Sequence, residues 1–100
     1  MQMYNPPSVG EFIKDVYLEP MGLSARSVAA KLGVSASTFN RLLNNKISVS
    51  PEMAVRLSIV FNQSAESWLN MQNQYDLWQL QSTGRPLNAE PIEMQSSQGI

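Results

Sequence analysis

Residues 36–45 carry hydroxyl, amide and guanidinium groups at a spacing that could read the base edges of a DNA duplex. On a helical wheel of about 100° per residue, these polar groups fall opposite Phe39, Leu42 and Leu43. Arginine pairs with guanine and asparagine with adenine, and threonine can bond to either base or contact a thymine methyl group. A helix face selected only for solubility would more often use Lys and Glu, which are better helix formers than Ser, Thr and Asn. The residues predicted to read bases are Ser37, Thr38, Asn40, Arg41 and Asn44.

A second group of polar residues stands at predicted helix starts and in the loop after this helix. At such positions side chains and backbone N–H groups can meet phosphate oxygens, which positions a protein on the duplex without reading its sequence. Each serine of the group also has the simpler interpretation of a helix cap, and capping does not exclude phosphate contact. The residues predicted to contact phosphates are Ser24, Arg26, Ser27, Ser35, Asn45, Lys46 and Ser48.

The charge distribution is uneven along the 100 residues, whose net charge is -1. Residues 24–56 carry five Lys and Arg side chains against Glu52 alone, and the segments on both sides of them are acidic. Phosphate contacts are made by Lys and Arg, so a local positive surface favours a specific DNA-binding protein over a nonspecific coat. By itself, the charge pattern is equally well explained by ordinary solvated helix surfaces.

The composition argues against an enzyme, because the chain has no Cys and no His. Disulfides, thiolate zinc sites and cysteine nucleophiles are therefore excluded, and the commonest general base is missing. The carboxylates form no catalytic motif, so we expect no enzymatic activity, no metal and no cofactor. The apolar runs are too short to span a membrane, and the first residues lack the pattern of a secretory signal. We therefore expect a cytoplasmic protein with no membrane partner.

Serine residues followed by apolar positions at helical spacing mark five helices, and no alternating strand pattern occurs. The sequence therefore predicts an all-α fold. We expect the first helix to end at Pro20 and Gly22 and the fifth to end near Leu80. The predicted N-caps are Ser8, Ser24, Ser35, Ser50 and Ser64, and the predicted buried face of the first helix is Phe12, Ile13, Val16 and Tyr17.

Residues 25–44 have the spacing of two short helices that cross at a steep angle. Ala29 is small where the second helix would approach the third, and Gly33 can adopt the left-handed conformation that the turn needs. Together with the two serine caps, the apolar set makes a helix-turn-helix unit a specific prediction. The side chains expected to fill the wedge between the helices are Val28, Leu32, Val34, Phe39 and Leu42.

The fifth predicted helix has two apolar faces, of which one can cover the core of its own subunit. The other face would be exposed in a monomer, so we expect it to pair with a second copy of the chain. A dimer would set two recognition helices about 34 Å apart on a palindromic site. The competing interpretation buries both faces within one subunit. The residues predicted for the dimer interface are Leu69, Leu77, Trp78 and Leu80.

The composition changes at Ser82, where prolines and small polar residues replace most apolar side chains. Such a segment buries too little apolar surface to offset the entropy of ordering. We therefore expect residues 1–81 to form a DNA-binding and dimerisation domain and residues 82–100 to form a flexible, disordered tail.

The assembled motifs resemble those of the HigA-type antitoxins, a branch of the Xre (Cro/C1-type) helix-turn-helix regulators, over roughly residues 6–80. The segment of the fifth predicted helix, SAESWLNMQNQYDLWQ, is more specific to this family than the helix-turn-helix itself. The segments that carry the resemblance are PPSVGEFIKDVYLEPMGLS, AAKLGVSASTFNRLLNNK, SPEMAVRLSIVF and SAESWLNMQNQYDLWQ.

The resemblance implies a five-helix, lambda-repressor-like domain and a dimeric antitoxin that binds double-stranded operator DNA and represses its own operon. It also implies a second partner, a HigB-type ribosome-dependent mRNA endonuclease, as the toxin to be neutralised. The acidic residues Glu11, Asp15 and Glu19 are one candidate contact surface for a small basic toxin. The alternative function is that of a stand-alone repressor without a toxin partner.

Overall fold

A computed structural model describes residues 5–93, which form five helices and, within that range, no strand. This confirms the predicted all-α, five-helix fold. Helix α1 spans residues 9–21 and consists of three consecutive helical segments. The remaining bounds are Ala25–Leu32 for α2, Ala36–Leu43 for α3, Pro51–Val60 for α4 and Ala65–Ser82 for α5.

All five predicted serine caps are confirmed. Each hydroxyl oxygen accepts a hydrogen bond from a backbone N–H three residues later, at 3.0–3.1 Å. At Ser8 the bond is reciprocated, because the Glu11 carboxylate accepts from the Ser8 N–H at 3.2 Å. These bonds satisfy donors that the first turn of a helix otherwise leaves without partners. The helix starts are therefore fixed by local sequence.

Helix α1 ends at Gly22 as predicted, but it departs from the prediction in its middle and at Pro20. It runs as α-helix over Val9–Ile13, as π-helix over Lys14–Leu18 and again as α-helix over Glu19–Met21. Pro20 therefore lies inside the helix instead of ending it. Proline has no N–H and crowds the carbonyl group four residues before it, and the wider π-turn accommodates both defects.

The π-turn rotates the second half of α1 relative to the first. Val16, predicted on the buried face, is 43% exposed, whereas Val9 is 2% exposed and belongs to the core. The prediction for Val16 was wrong because it assumed regular spacing of about 100° per residue along the whole helix. The extra residue in the turn changes which of the following side chains face the core, so that Tyr17 and Leu18 pack against it and Val16 does not.

The helices α1, α2 and α3 all end in the same hydrogen-bonded cap. A residue with positive φ follows each helix: Gly22 at 62°, Gly33 at 77° and Asn45 at 61°. After α2, for example, the Val34 N–H donates to the Ala29 carbonyl at 3.1 Å and the Gly33 N–H donates to Ala30 at 3.2 Å. This pairing is the Schellman motif, which satisfies the last carbonyl groups of a helix and reverses the chain.

The core lies between α1, α3, α4 and the first half of α5, with α2 covering it from the side of α3 and α4. Trp68 is fully buried and anchors α5 against an aromatic cluster formed with Phe12, Tyr17 and Phe61. Within this cluster Tyr17 stacks on Phe61 with ring centroids 4.1 Å apart. The buried aromatic rings fix α1, α4 and α5 to one another and so set the platform on which α3 sits.

The close packing of α1 on α3 depends on Gly10. A Cβ atom at this position would overlap the carbonyl oxygen of Leu43 and lie 2.8 Å from that of Leu42. The absence of a side chain therefore lets α1 touch the backbone at the end of α3. This contact packs α1 directly against the end of α3.

Helix α5 ends at Ser82, two residues beyond the predicted Leu80. Residues 85–93 form no helix or strand and are exposed, which agrees with the prediction that a tail follows the domain. Residues 94–100 of the predicted tail and residues 1–4 of the predicted domain lie outside the described residues. None of the helices in the described part combines the length and apolar character of a membrane span.

Candidate nucleic-acid interface

Helix α3 presents the polar face that the sequence predicts. Its apolar residues Phe39, Leu42 and Leu43 are 0–6% exposed and belong to the core. On the opposite side Ser37, Asn40, Arg41 and Asn44 are exposed, and Thr38 is half-buried. Because the burial of one face fixes the rotation of the helix, the polar side chains face away from the protein.

Two of the residues predicted to read bases make local hydrogen bonds. Thr38 accepts a hydrogen bond from the Ser35 hydroxyl at 2.9 Å, and Asn44 Nδ2 donates to the Asn40 carbonyl at 3.0 Å. Across residues 5–93, the side chains of Ser37, Asn40 and Arg41 make no hydrogen bond or ion pair. Their donors and acceptors are therefore directed to the solvent and available to another molecule.

The turn between α2 and α3 has the geometry of a helix-turn-helix. Gly33 takes the left-handed conformation expected of it, and Ala29 is 1% exposed where the two helices meet. Val34, also predicted in this wedge, is partly buried against the core. The four remaining wedge residues are buried, as the sequence predicts: Val28, Leu32, Phe39 and Leu42.

All seven residues predicted to contact phosphates are exposed, and they lie at the start of α2, at the start of α3 and in the loop after α3. Ser24 and Ser35 are N-caps, and the Ser27 hydroxyl donates to the Ser24 carbonyl at 3.0 Å. Asn45 is the left-handed residue that ends α3, and the next N–H, that of Lys46, donates to the Arg41 carbonyl at 2.8 Å. The exposed side chains of Arg26, Lys46 and Ser48 complete the set.

Arg56 has a structural role that the sequence analysis missed. Its Nη1 donates to the Leu32 carbonyl at 2.8 Å, and its Nη2 lies 2.9 Å from the Glu52 carboxylate. A cation at the end of α2 complements the partial negative charge of the last carbonyl groups. The four-residue spacing of Glu52 and Arg56 is a signal that could have indicated their ion pair, but nothing local indicates the bond to a residue 24 positions away. Arg56 thus belongs to the scaffold of the helix-turn-helix.

Gln72 on α5 is a second residue that the sequence analysis missed. Its Oε1 accepts a hydrogen bond from the Val49 N–H at 2.9 Å, and its Nε2 donates to Asp76 at 3.0 Å. The four-residue spacing of Gln72 and Asp76 is readable on a helix, but the bond to Val49 spans 23 residues and has no local signal. It joins α5 to the loop that contains Lys46 and Ser48.

The residues predicted for a dimer interface divide into two pairs. Leu69 packs partly against its own core, and Trp78 is half-buried with its ring centroid 6.3 Å from that of Tyr75. Leu77 and Leu80 are 55% and 42% exposed. The exposed apolar surface at the end of α5 therefore consists of these two leucines.

A family model described as helix-turn-helix matches residues 16–68. The chain is 39% identical over 85 residues to an uncharacterized HTH-type transcriptional regulator of Haemophilus influenzae, covering 85% of this chain and 79% of that protein. It is 38% identical over 73 residues to antitoxin HigA-1 of Vibrio cholerae, covering 73% and 69%. The fold is similar to that of the Pseudomonas aeruginosa antitoxin HigA with the higBA promoter, at a TM-score of 0.73 and 33% identity, covering 79% and 86%. The span 16–68 includes α2, α3 and α4, which carry or support the predicted DNA contacts.

Proposed function

Because this chain belongs to the HigA-type branch of the Xre helix-turn-helix family, we propose that it is a sequence-specific DNA-binding antitoxin. The family consists of DNA-binding regulators and antitoxins and is not a family of enzymes. In this proposal the protein binds operator DNA as a homodimer, represses its own operon and neutralises a HigB-type mRNA endonuclease. It acts in the cytoplasm, where the operator lies, and residues 1–81 form the functional domain.

The observation that carries the proposal is the polar face of α3, with Ser37, Asn40 and Arg41 exposed and without protein partners in the described part of the chain. The DNA major groove is about 12 Å wide and admits one α-helix. The cap residues and the loop after α3 would flank the groove and contact the phosphates on either side. The similar structure of the Pseudomonas aeruginosa antitoxin HigA with the higBA promoter supports the binding of promoter DNA by this fold.

The end of α5 supports the homodimer. Leu77 and Leu80 expose apolar surface on a helix whose first half is already committed to the core through Trp68. A second copy that pairs at this surface would remove it from water and place two α3 helices on the two halves of a palindrome.

The charge of α1 supports neutralisation of a toxin. An mRNA endonuclease must bind a polyanion and therefore presents cationic side chains. Glu11, Asp15 and Glu19 are all exposed on α1, which carries none of the predicted DNA contacts. Toxin binding at this acidic surface would leave α3 available for operator DNA.

The test is co-expression with the product of the neighbouring gene, followed by binding to the DNA upstream of the pair. We expect the two proteins to co-purify, growth inhibition by the neighbour to disappear, and the upstream DNA to bind more tightly than a scrambled duplex. Two variants separate the activities. Arg41→Ala should weaken DNA binding and retain neutralisation. The triple variant Glu11→Gln, Asp15→Asn, Glu19→Gln should retain DNA binding and lose neutralisation. A neighbour that is neither toxic nor co-purified would contradict the antitoxin function.

A stand-alone repressor is the second candidate, favoured by the Haemophilus influenzae relative, which is described as a transcriptional regulator. This function requires the same α3 face and the same dimer but no toxin. It predicts tight binding to upstream DNA together with a neighbouring gene product that has no effect on growth. The co-expression experiment therefore separates the two candidates.

A further inference from the structure

We infer that Gln72 is a positioning residue for DNA binding, which holds the loop after α3 against α5, and that Asp76 fixes the orientation of its side-chain amide. The inference rests on the proposed DNA-binding function and adds residues of α5 to it. It follows from the bonding of residues 46–49, which lie in the loop between α3 and α4.

The loop is bonded to α5 through the Val49 N–H. Val49 is 6% exposed, so its backbone donor is costly to leave without a partner, and Gln72 Oε1 accepts from it at 2.9 Å. Among the described residues, this is the one hydrogen bond made by residues 47–49. The loop therefore has side-chain packing on one side and a single polar anchor on the other.

Asp76 determines which end of the Gln72 amide faces the loop. Gln72 Nε2 donates to Asp76 Oδ1 at 3.0 Å, which leaves Oε1 directed at the Val49 N–H. The opposite orientation would place an NH2 group against an N–H and an amide oxygen against a carboxylate. The bond to Val49 therefore depends on an acceptor at position 76.

The hydrogen bond from the Val49 N–H to Gln72 limits the movement of the loop, because the space beside it is open. A polar cleft of about 160 Å³ lies between the loop and α5, and Asn45, Ser48, Gln72 and Asp76 are among the residues that line it. On the side of the cleft the loop backbone is not supported by close packing. Without the Gln72 bond the loop can shift into this space, and Lys46 and Ser48 move with it away from the phosphates.

The experiment measures operator affinity as a function of salt concentration for the full chain and its variants, with the DNA upstream of its gene as probe. Gln72→Ala is compared with Asn73→Ala, an exposed neighbour on α5. We expect Gln72→Ala to raise Kd about 5- to 10-fold, the effect of one lost hydrogen bond and the contact it supports, and to reduce the salt slope by about 1. Asn73→Ala should leave both unchanged.

A second pair of variants, which have the same charge as each other, tests the role of Asp76. Asp76→Asn and Asp76→Ala both remove the carboxylate charge, but only Asn retains an acceptor for Gln72 Nε2. We expect Asp76→Asn to bind as tightly as the original protein or more tightly, and Asp76→Ala to bind several-fold more weakly than Asp76→Asn. Hydrogen exchange of the Val49 amide should accelerate in Gln72→Ala and Asp76→Ala alone.

Several results would overturn the inference. A Gln72→Ala protein that is folded and binds DNA with the original Kd and salt slope would show that Gln72 only stabilises the fold. Equal binding by Asp76→Asn and Asp76→Ala would show that the hydrogen-bond acceptor at position 76 has no role in DNA binding. If Arg41→Ala weakens binding and Gln72→Ala does not, this inference fails and the proposed function stands. If the original protein does not bind the upstream DNA, both fail.

Discussion

Arg41 is the cation on the exposed face of α3, and in residues 5–93 no carboxylate pairs with it. Its guanidinium can therefore make a bidentate contact with a guanine without first breaking a bond to the protein. Thr38 and Asn44, by contrast, must keep or exchange the hydrogen bonds that they already make to Ser35 and Asn40. We therefore assign the largest share of base discrimination to Arg41.

Replacing Arg41 by Ala should weaken operator binding by about 1 to 3 kcal/mol, because a bidentate contact to one base is lost. Preference at one base pair in each half-site should relax, since no other donor replaces the guanidinium. Fluorescence anisotropy with a set of single-substituted duplexes measures both effects. Arg85→Ala, which removes a cation from the exposed segment after α5, is the control and should change neither.

Lys46 should behave differently, because its exposed ammonium group follows α3 and is expected to meet the phosphate backbone. Lys46→Ala should weaken binding to all duplexes by a similar factor and lower the salt slope by about 1, the loss of one neutralised phosphate. Anisotropy at four or more salt concentrations measures the slope. A change in sequence preference with an unaltered slope would contradict the assignment.

The contact between α1 and α3 shows how one missing side chain positions a functional element. Alanine is a better helix former than glycine by about 1 kcal/mol, so Gly10→Ala would stabilise an isolated α1. In the folded protein its Cβ would overlap backbone atoms of Leu43, which cannot move aside as a flexible side chain could. The clash therefore outweighs the gain in helix propensity.

We expect Gly10→Ala to lower the free energy of unfolding by at least about 2 kcal/mol, as overpacking a core does. Chemical denaturation followed by circular dichroism measures this change. Gly22→Ala is a useful comparison, because Gly22 has a φ of 62° but open space around it. Its cost should be the left-handed strain alone, about 1 to 2 kcal/mol. A Gly10→Ala protein as stable as the original would contradict the close contact.

Arg56 should stabilise the turn between α2 and α3 through the Leu32 carbonyl more than through its ion pair. Arg56→Ala should cost about 1 to 2 kcal/mol of unfolding free energy, because a charged hydrogen bond at a helix end is lost. Glu52→Ala removes only the largely exposed ion-pair partner and should cost less than about 0.5 kcal/mol. Equal costs for the two variants would mean that the ion pair, and not the bond to Leu32, is the stabilising contact.

Local sequence was sufficient to predict the features that depend on residues within one helical turn of each other. The five serine caps, the left-handed Gly33 and the rotation of α3 each depend on residues three or four positions apart. The π-turn of α1 was not predicted, because Pro20 was expected to end the helix and instead lies inside it, in the α-helical segment that follows the π-helical one. The bonds from Arg56 to Leu32 and from Gln72 to Val49 span more than 20 residues, so no local pattern could indicate them.

At the scale of the whole molecule, α5 joins the DNA-binding unit to the predicted second copy. Its first half is anchored in the core by Trp68 and bonded to the loop after α3 by Gln72, whereas Leu77 and Leu80 lie exposed at its end. Apolar exposure at the end of α5 is costly in water, and pairing removes it. In the proposed complex, the first half of α5 would therefore support the loop after α3, and its last turns would contact the second copy.

The double variant Leu77→Asp, Leu80→Asp should be monomeric, because two charges would have to be buried in the interface. Size-exclusion chromatography with light scattering measures the mass. Ile59→Asp, at an apolar residue of α4 that is 78% exposed, is the matched control and should leave the dimer intact. If the dimer persists in the double variant and dissociates in Ile59→Asp, the interface lies on α4 instead.

In the proposed complex, α3 enters the DNA groove with its polar face. An NMR titration of the full chain with a duplex from upstream of its gene tests this placement of α3. We expect the largest shifts of amide resonances in residues 36–46, smaller shifts at the start of α2, and almost none at Glu11, Asp15 and Glu19 in α1. Saturable binding that shifts the α1 resonances and leaves those of α3 unchanged would show that α3 does not enter the groove.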